Sequence, residues 1–120
     1  MRTGIDYYDE LEEQKKKADE KYRRRRENEL NDLAKVLATV EGRRLIWRIL
    51  AEAGLFRSTF AGNDPITQAH LEGKKDIGYF LMSGIMDGNV QKFVQMQSEH
   101  IAKLKQEETE EKKESEKGEE

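Results

Sequence analysis

Cysteine is absent from the 120 residues, and with it go a disulfide framework, a thiolate zinc site and a cysteine nucleophile. Such a chain suits a reducing cytoplasm. Long apolar runs are absent too: the first noticeable one, Leu45 to Leu50, is interrupted by Arg48, far short of the roughly 20 apolar residues that cross a bilayer. Neither a membrane span nor a secretory leader is expected. Histidine is scarce, and His70 and His100 have no second histidine near them at metal-ligand spacing. No phosphate-binding glycine loop and no nucleophile elbow occurs. The many carboxylates lie in charge-dense segments surrounded by solvent, unlike a catalytic pair. The residues thus call for no enzyme, no cofactor, no metal and no small-molecule substrate.

Apolar material is also limited, at 35% hydrophobic against 39% charged, so the core must be small. A compact region of roughly 75 residues buries only about 60% of its unfolded surface, which makes oligomerisation or docking on a partner an expected remedy. The net charge of −3 is too modest to indicate nucleic acid, but it is unevenly spread. Residues 1–29 carry nine basic and nine acidic side chains, residues 30–104 nine and eight, and residues 105–120 four and eight. Acidity collects in the tail.

The pattern along the chain is all-α, with no alternating strand signal. Residues 1–29 read as a charged helical arm, in which Glu12 and Lys16, and Glu13 and Lys17, stand four apart in the favourable order. Residues 30–104 read as a helical domain, entered through the stripe Leu30, Leu33 and Leu37. Thr39 is a cap for a second helix, with Glu41 in its first turn and an apolar face of Leu45, Ile46, Ile49, Leu50 and Ala53. Gly54 is its stop, and Leu55 packs back. Phe56 and Phe60, in the loop from Leu55 to Asp64, are expected to lie under the helices as lids on the core. Asp64 and Pro65 form an N-cap and N1 start for a third helix reaching Met86, with Ile66, Gly73, Ile77, Phe80, Leu81, Gly84 and Ile85 on or near one face. Gly88 ends it, and Val90, Phe93, Val94, Ile101 and Leu104 stripe a fourth helix. The second and third helices form the expected central hairpin. Residues 105–120 form an acidic tail whose composition favours solvation, either disordered or as a frayed extension of the fourth helix.

One motif occurs twice: "EGRR" at 41–44 and "EGKK" at 72–75. A glycine inside a helix costs up to about 1 kcal/mol relative to alanine. In the preferred reading, the two central helices cross at Gly42 and Gly73, and Arg43, Arg44, Lys74 and Lys75 snorkel outward to pair with Glu41 and Glu72. The other reading makes these four cations a patch at one end of the hairpin that meets phosphate or an acidic partner. Arg23, Arg24, Arg25 and Arg26 admit the same pair of readings, a solvated helix or a contact with phosphate or an acidic groove. Trp47, the lone tryptophan, is expected to be half-buried against the Phe56 to Phe60 loop, with a role as interface anchor as the alternative.

The block from Ala38 to Met86 resembles the Bbp-nineteen family of small tailed-bacteriophage proteins. The resemblance rests on a Gly-Arg-Arg helix, a Gly-hydrophobic-Phe loop and a second Glu-Gly-basic-basic helix. The matching positions are Gly42, Arg43, Arg44, Trp47, Leu50, Gly54, Phe56, Phe60, Glu72, Gly73 and Gly78. Lys74 and Lys75 stand where arginines are expected, which removes bidentate recognition of carboxylate or phosphate at that pair. The resemblance implies a phage product encoded among head and packaging genes, made in the host cytoplasm, and hence a virion or assembly component.

Together these readings lead to an expected non-enzymatic structural protein of a tailed phage, present in symmetric copies in the head interior or at the portal and neck. Its partners would be portal, neck or core proteins and other copies of itself, with a candidate contact to packaged DNA and none to membrane. Two alternatives stand beside it: a scaffolding factor lost from mature particles, and an intracellular nucleic-acid-binding accessory protein.

Overall fold

The computed structural model describes residues 4–60, 62 and 64–119. Residues 1–3 of the expected arm, 61 and 63 of the expected loop and 120 of the expected tail lie outside that set. Among the described residues the chain is all-α: α1 Gly4–Leu37, α2 Val40–Glu52, α3 Pro65–Gly88 and α4 Val90–Glu119.

The helix boundaries follow from local chemistry. Thr39 takes an extended conformation, φ −105° and ψ 152°, and its hydroxyl accepts from the Gly42 N–H at 3.0 Å, capping α2. At the other end Gly54 adopts φ +82°, open to glycine at little cost, and two bonds close the turn. The Gly54 N–H donates to the Ala51 carbonyl at 3.0 Å and the Leu55 N–H to the Leu50 carbonyl at 3.3 Å, the paired pattern of a Schellman stop. Leu55 then packs on the core, as the sequence predicts. Asp64 caps α3 by accepting from the N–H groups of Ile66 (3.1 Å) and Thr67 (3.2 Å), with Pro65 in the first helical turn. The expected stop at Gly88 is displaced: Gly88 is still helical, and the break falls at Asn89, whose N–H bonds the Ile85 carbonyl at 2.7 Å. A single residue therefore separates α3 from α4. The acidic tail continues α4 as helix as far as Glu119, its side chains exposed over residues 105–118. Glu, Lys and Gln are good helix formers, and of the alternatives for the tail the extension of the fourth helix is the one seen.

All four helices meet at one small core. Leu37 of α1, Ile46 and Leu50 of α2, Ile85 of α3 and Met96 of α4 are buried, with Leu33, Trp47, Leu55, Leu81, Met82 and Phe93 packed around them. The α2–α3 hairpin is not the dominant pairing, because α3 packs most extensively on α1. The α2 face is also narrower than expected: Ile46, Leu50 and Ala53 are buried, whereas Leu45 and Ile49 are exposed. Phe60 is 76% exposed and is no lid. The chain measures 96 × 41 × 15 Å, a thin raft of helices with long projecting ends.

Candidate interaction surfaces

Gly42 and Gly73, expected at a helix crossing, do not meet. A Cβ on Gly42 would strike the Val36 carbonyl and stand 2.9 Å from the Thr39 hydroxyl, so this glycine serves the tight turn between α1 and α2. A Cβ on Gly73 would meet nothing within 4 Å. The glycines that admit close neighbours lie further along α3, Gly78 under the turn that ends α2 and Gly84 under α1. At Gly78 a Cβ would stand 2.8 Å from both Ala53 Cβ and Leu55 Cγ, and at Gly84 2.9 Å from Leu33 Cδ2. The two copies of the motif thus occupy different environments, one in a capped first turn and one at mid-helix.

The cations divide in the same way. Arg43 is buried at 6% exposure. Its Nη2 lies 2.9 Å from Glu99 Oε1, its Nε donates to the same carboxylate at 3.0 and 3.2 Å, and its Nη1 donates to the Leu37 carbonyl at 3.0 Å. One guanidinium therefore joins the C-terminus of α1 to α2 and α4, and it is not presented to a partner or phosphate. Lys74 stands 3.6 Å from Glu52 at the far end of α2, whereas Arg44 lies in the second turn of α2, exposed. The four-cation patch at one end of a hairpin does not form, nor are Glu41 and Glu72 the acids that Arg43 and Lys74 face. Lys75 is half-buried.

In the arm, Arg23, Arg24 and Arg25 are exposed, but Arg26 is drawn inward. Its Nη2 reaches Asp87 Oδ2 at 3.1 Å and its Nε at 3.2 Å, and Nη1 stands 3.5 Å from Glu29. This clamp holds the arm against the last turn of α3. Sequence spacing could not reveal Glu99, Asp87 or Glu52 as partners, since each lies on another helix. Gly78 and Gly84 did carry a signal: with Leu81 and Ile85 they fall at offsets 0, 3, 6 and 7, the spacing of one helix face.

Trp47 is half-buried and stacks on Phe56, with ring centroids 4.8 Å apart at 24°. His100 lies 5.0 Å from it and Phe93 6.0 Å. The loop contact expected of Trp47 is thus made by Phe56 and not Phe60, and His100 belongs to an aromatic cluster. His70 is exposed on α3. No group of three or more His, Asp or Glu residues able to hold a metal occurs among the described residues, and no helix among them is long and apolar enough to cross a membrane. The Asp64 carboxyl is held below its ordinary value, first by the Thr67 hydroxyl at 2.6 Å and then by the backbone N–H groups it caps.

No curated protein and no solved structure matches the chain. The profile described as "Bbp19-like phage protein" matches residues 33–98, from the last turn of α1 through the first part of α4. That span holds every core residue named above, the Arg43 end of its ion pair and both packing glycines, and it covers more than half of the sequence. By that match the chain belongs to the Bbp19-like phage protein family.

Proposed function

We propose that this phage protein is a non-enzymatic structural component of a tailed-phage virion. It sits at the portal and neck, as a head–tail connector element, or in the internal core of the head, and it makes helix-mediated contacts with portal subunits or neighbouring copies. The observation that carries this reading is the mismatch between core and surface. Among the described residues six hydrophobic side chains are buried, while Leu45, Ile49, Ile66, Ile77, Tyr79 and Phe80 on α2 and α3 are exposed. A domain with so little interior and so many large apolar groups outside is expected to complete its packing in an assembly. The helical extensions at both ends multiply the surface available to neighbours. Arg23, Arg24 and Arg25, free of the clamp that occupies Arg26, are the groups that would meet packaged DNA or an acidic ring surface.

Quantitative mass spectrometry of purified, DNA-filled particles tests the proposal. A simple ratio to the portal protein is the expected result. Absence from mature particles, with presence in empty precursors, would replace it with an assembly factor that leaves. Absence from both, with salt-dependent binding of the purified chain to duplex DNA, would replace it with an intracellular nucleic-acid-binding role.

A further inference from the structure

The residues Ile66, Gly73, Ile77, Phe80, Gly84 and Gly88 fall along one side of α3, at offsets 0, 7, 11, 14, 18 and 22. Helix α1 covers only the upper end of this row: Leu33 Cδ2 sits over Gly84, and Leu30 Cδ1 lies 3.8 Å from the position of a Gly88 Cβ. Because α1 ends at Leu37 and the chain turns away into α2, the row continues bare. Phe80 is 67% exposed, Ile77 62% and Ile66 81%, and the space over Gly73 is open. Within the monomer Gly73 weakens a helix interior and admits nothing in return.

The bare segment is self-complementary. Ile66 and Phe80 each stand seven residues from Gly73, on opposite sides, which is two turns or about 10 Å along the axis. If two copies of α3 cross antiparallel about a two-fold axis at Gly73, Ile66 of each copy meets Phe80 of the other, twice. The same axis sets Ile77 over the small Ala69 and the neighbouring His70. The missing side chain at the centre is what lets the two backbones approach, and an isologous contact needs this one patch only. We infer that the Ile66 to Phe80 face of α3 is a homodimer interface, occupied by the same face of a second copy and continuous with the track that α1 already fills. This inference deepens the multi-copy reading above and rests on it. The dimer is measured on the purified chain, whereas presence in the particle is measured in the particle, so either can fail without the other.

Sedimentation equilibrium of the full chain over a range of concentrations is the test, with Gly73→Leu and Ile77→Asp as variants and Arg44→Ala as a control. The Cβ of Gly73→Leu would have no other part of the chain within 4 Å and would point into open space, so its far-UV circular dichroism and its melting when dilute should not fall below those of the parent. The expected result is a parent dimer whose dissociation constant rises about 30-fold or more in either α3 variant and stays unchanged in the control. Register is read by charge: Ile66→Lys or Phe80→Glu alone weakens the dimer, and the two together in one chain restore part of it. A parent that stays monomeric, or an oligomer indifferent to Gly73→Leu and Ile77→Asp, overturns the inference and gives this face to another occupant. Failure of the double variant to recover overturns the antiparallel register.

Discussion

Replacing Arg43 by alanine should be among the most damaging single changes in this protein, although its sequence neighbour Arg44 should tolerate the same change. Three effects combine. The guanidinium makes charge-assisted bonds to Glu99 at 2.9 to 3.2 Å. Removing one partner of a fully buried pair costs about 3–5 kcal/mol, but the Glu99 side chain is 33% exposed and can rehydrate, so about 2 kcal/mol is the better figure here. The bond from Nη1 to the Leu37 carbonyl, 3.0 Å long and buried, adds about 1 kcal/mol. Loss of the packed stem adds a smaller amount in the same direction. The sum, about 3 kcal/mol, corresponds to a melting point lowered by about 10–15 °C in a chain of this size. Urea unfolding followed by circular dichroism, run on Arg43→Ala, Glu99→Gln and the double variant, measures both the total and the coupling. The expected coupling is about 2 kcal/mol and largely insensitive to salt, because the pair is shielded. A total below about 0.5 kcal/mol, equal to that of Arg44→Ala, would refute the claim that this arginine is an internal tie.

Other consequences can be checked on the same material. Gly78→Ala should destabilise by up to about 2 kcal/mol, since the new methyl would lie 2.8 Å from Ala53 Cβ, which cannot rotate away, and overpacking exceeds the gain in helix propensity; urea midpoints will show it. Ile85→Ala, at a fully buried position where α3 meets the shared core, should cost about 2–5 kcal/mol by the same assay. The folded Asp64 carboxyl titrates below its unfolded value, so its contribution is present above the ordinary carboxylate range and lost as pH falls through the folded value. The stability difference between the parent and Asp64→Asn should therefore shrink as pH drops below about 4, and a difference constant with pH would contradict the assigned cap.

What could be read from residues alone was what local chemistry decides. Thr39, Gly54 and the Asp64–Pro65 pair act through bonds within a turn or two of themselves, and each marks a helix end in the structure. Decisions made across the fold were not legible. The third helix carries apolar residues on two sides, one through Gly78, Leu81, Met82 and Ile85 and another through Ile66, Gly73, Ile77 and Phe80, and periodicity cannot say which side the rest of the chain will cover. The single face read as packing mixed the two: of its residues Leu81, Gly84 and Ile85 are covered, whereas Ile66, Ile77 and Phe80 are exposed. Gly42 and Gly73 looked equivalent because their flanking residues match, yet Gly42 lies three residues past a cap and Gly73 at mid-helix. Arg43 and Arg44 differ only by the rotation of one residue about α2, which turns one guanidinium toward Glu99 and the other toward solvent. The same limit hid Arg26, whose acid lies 61 positions away.

Between Gly4 and Leu37 the first helix contains neither proline nor glycine, the usual causes of a sharp bend. Its last residue is buried in the core and its middle is tied at Arg26, so roughly 33 Å of rigid rod projects beyond the tie. Such a rod sets a distance and does not merely permit one. A tilt of about 10° at the tie would sweep the tip through about 6 Å, roughly a turn of helix. Whatever grips the far end is mechanically geared to Leu37, and a force applied there arrives at the one place where all four helices touch.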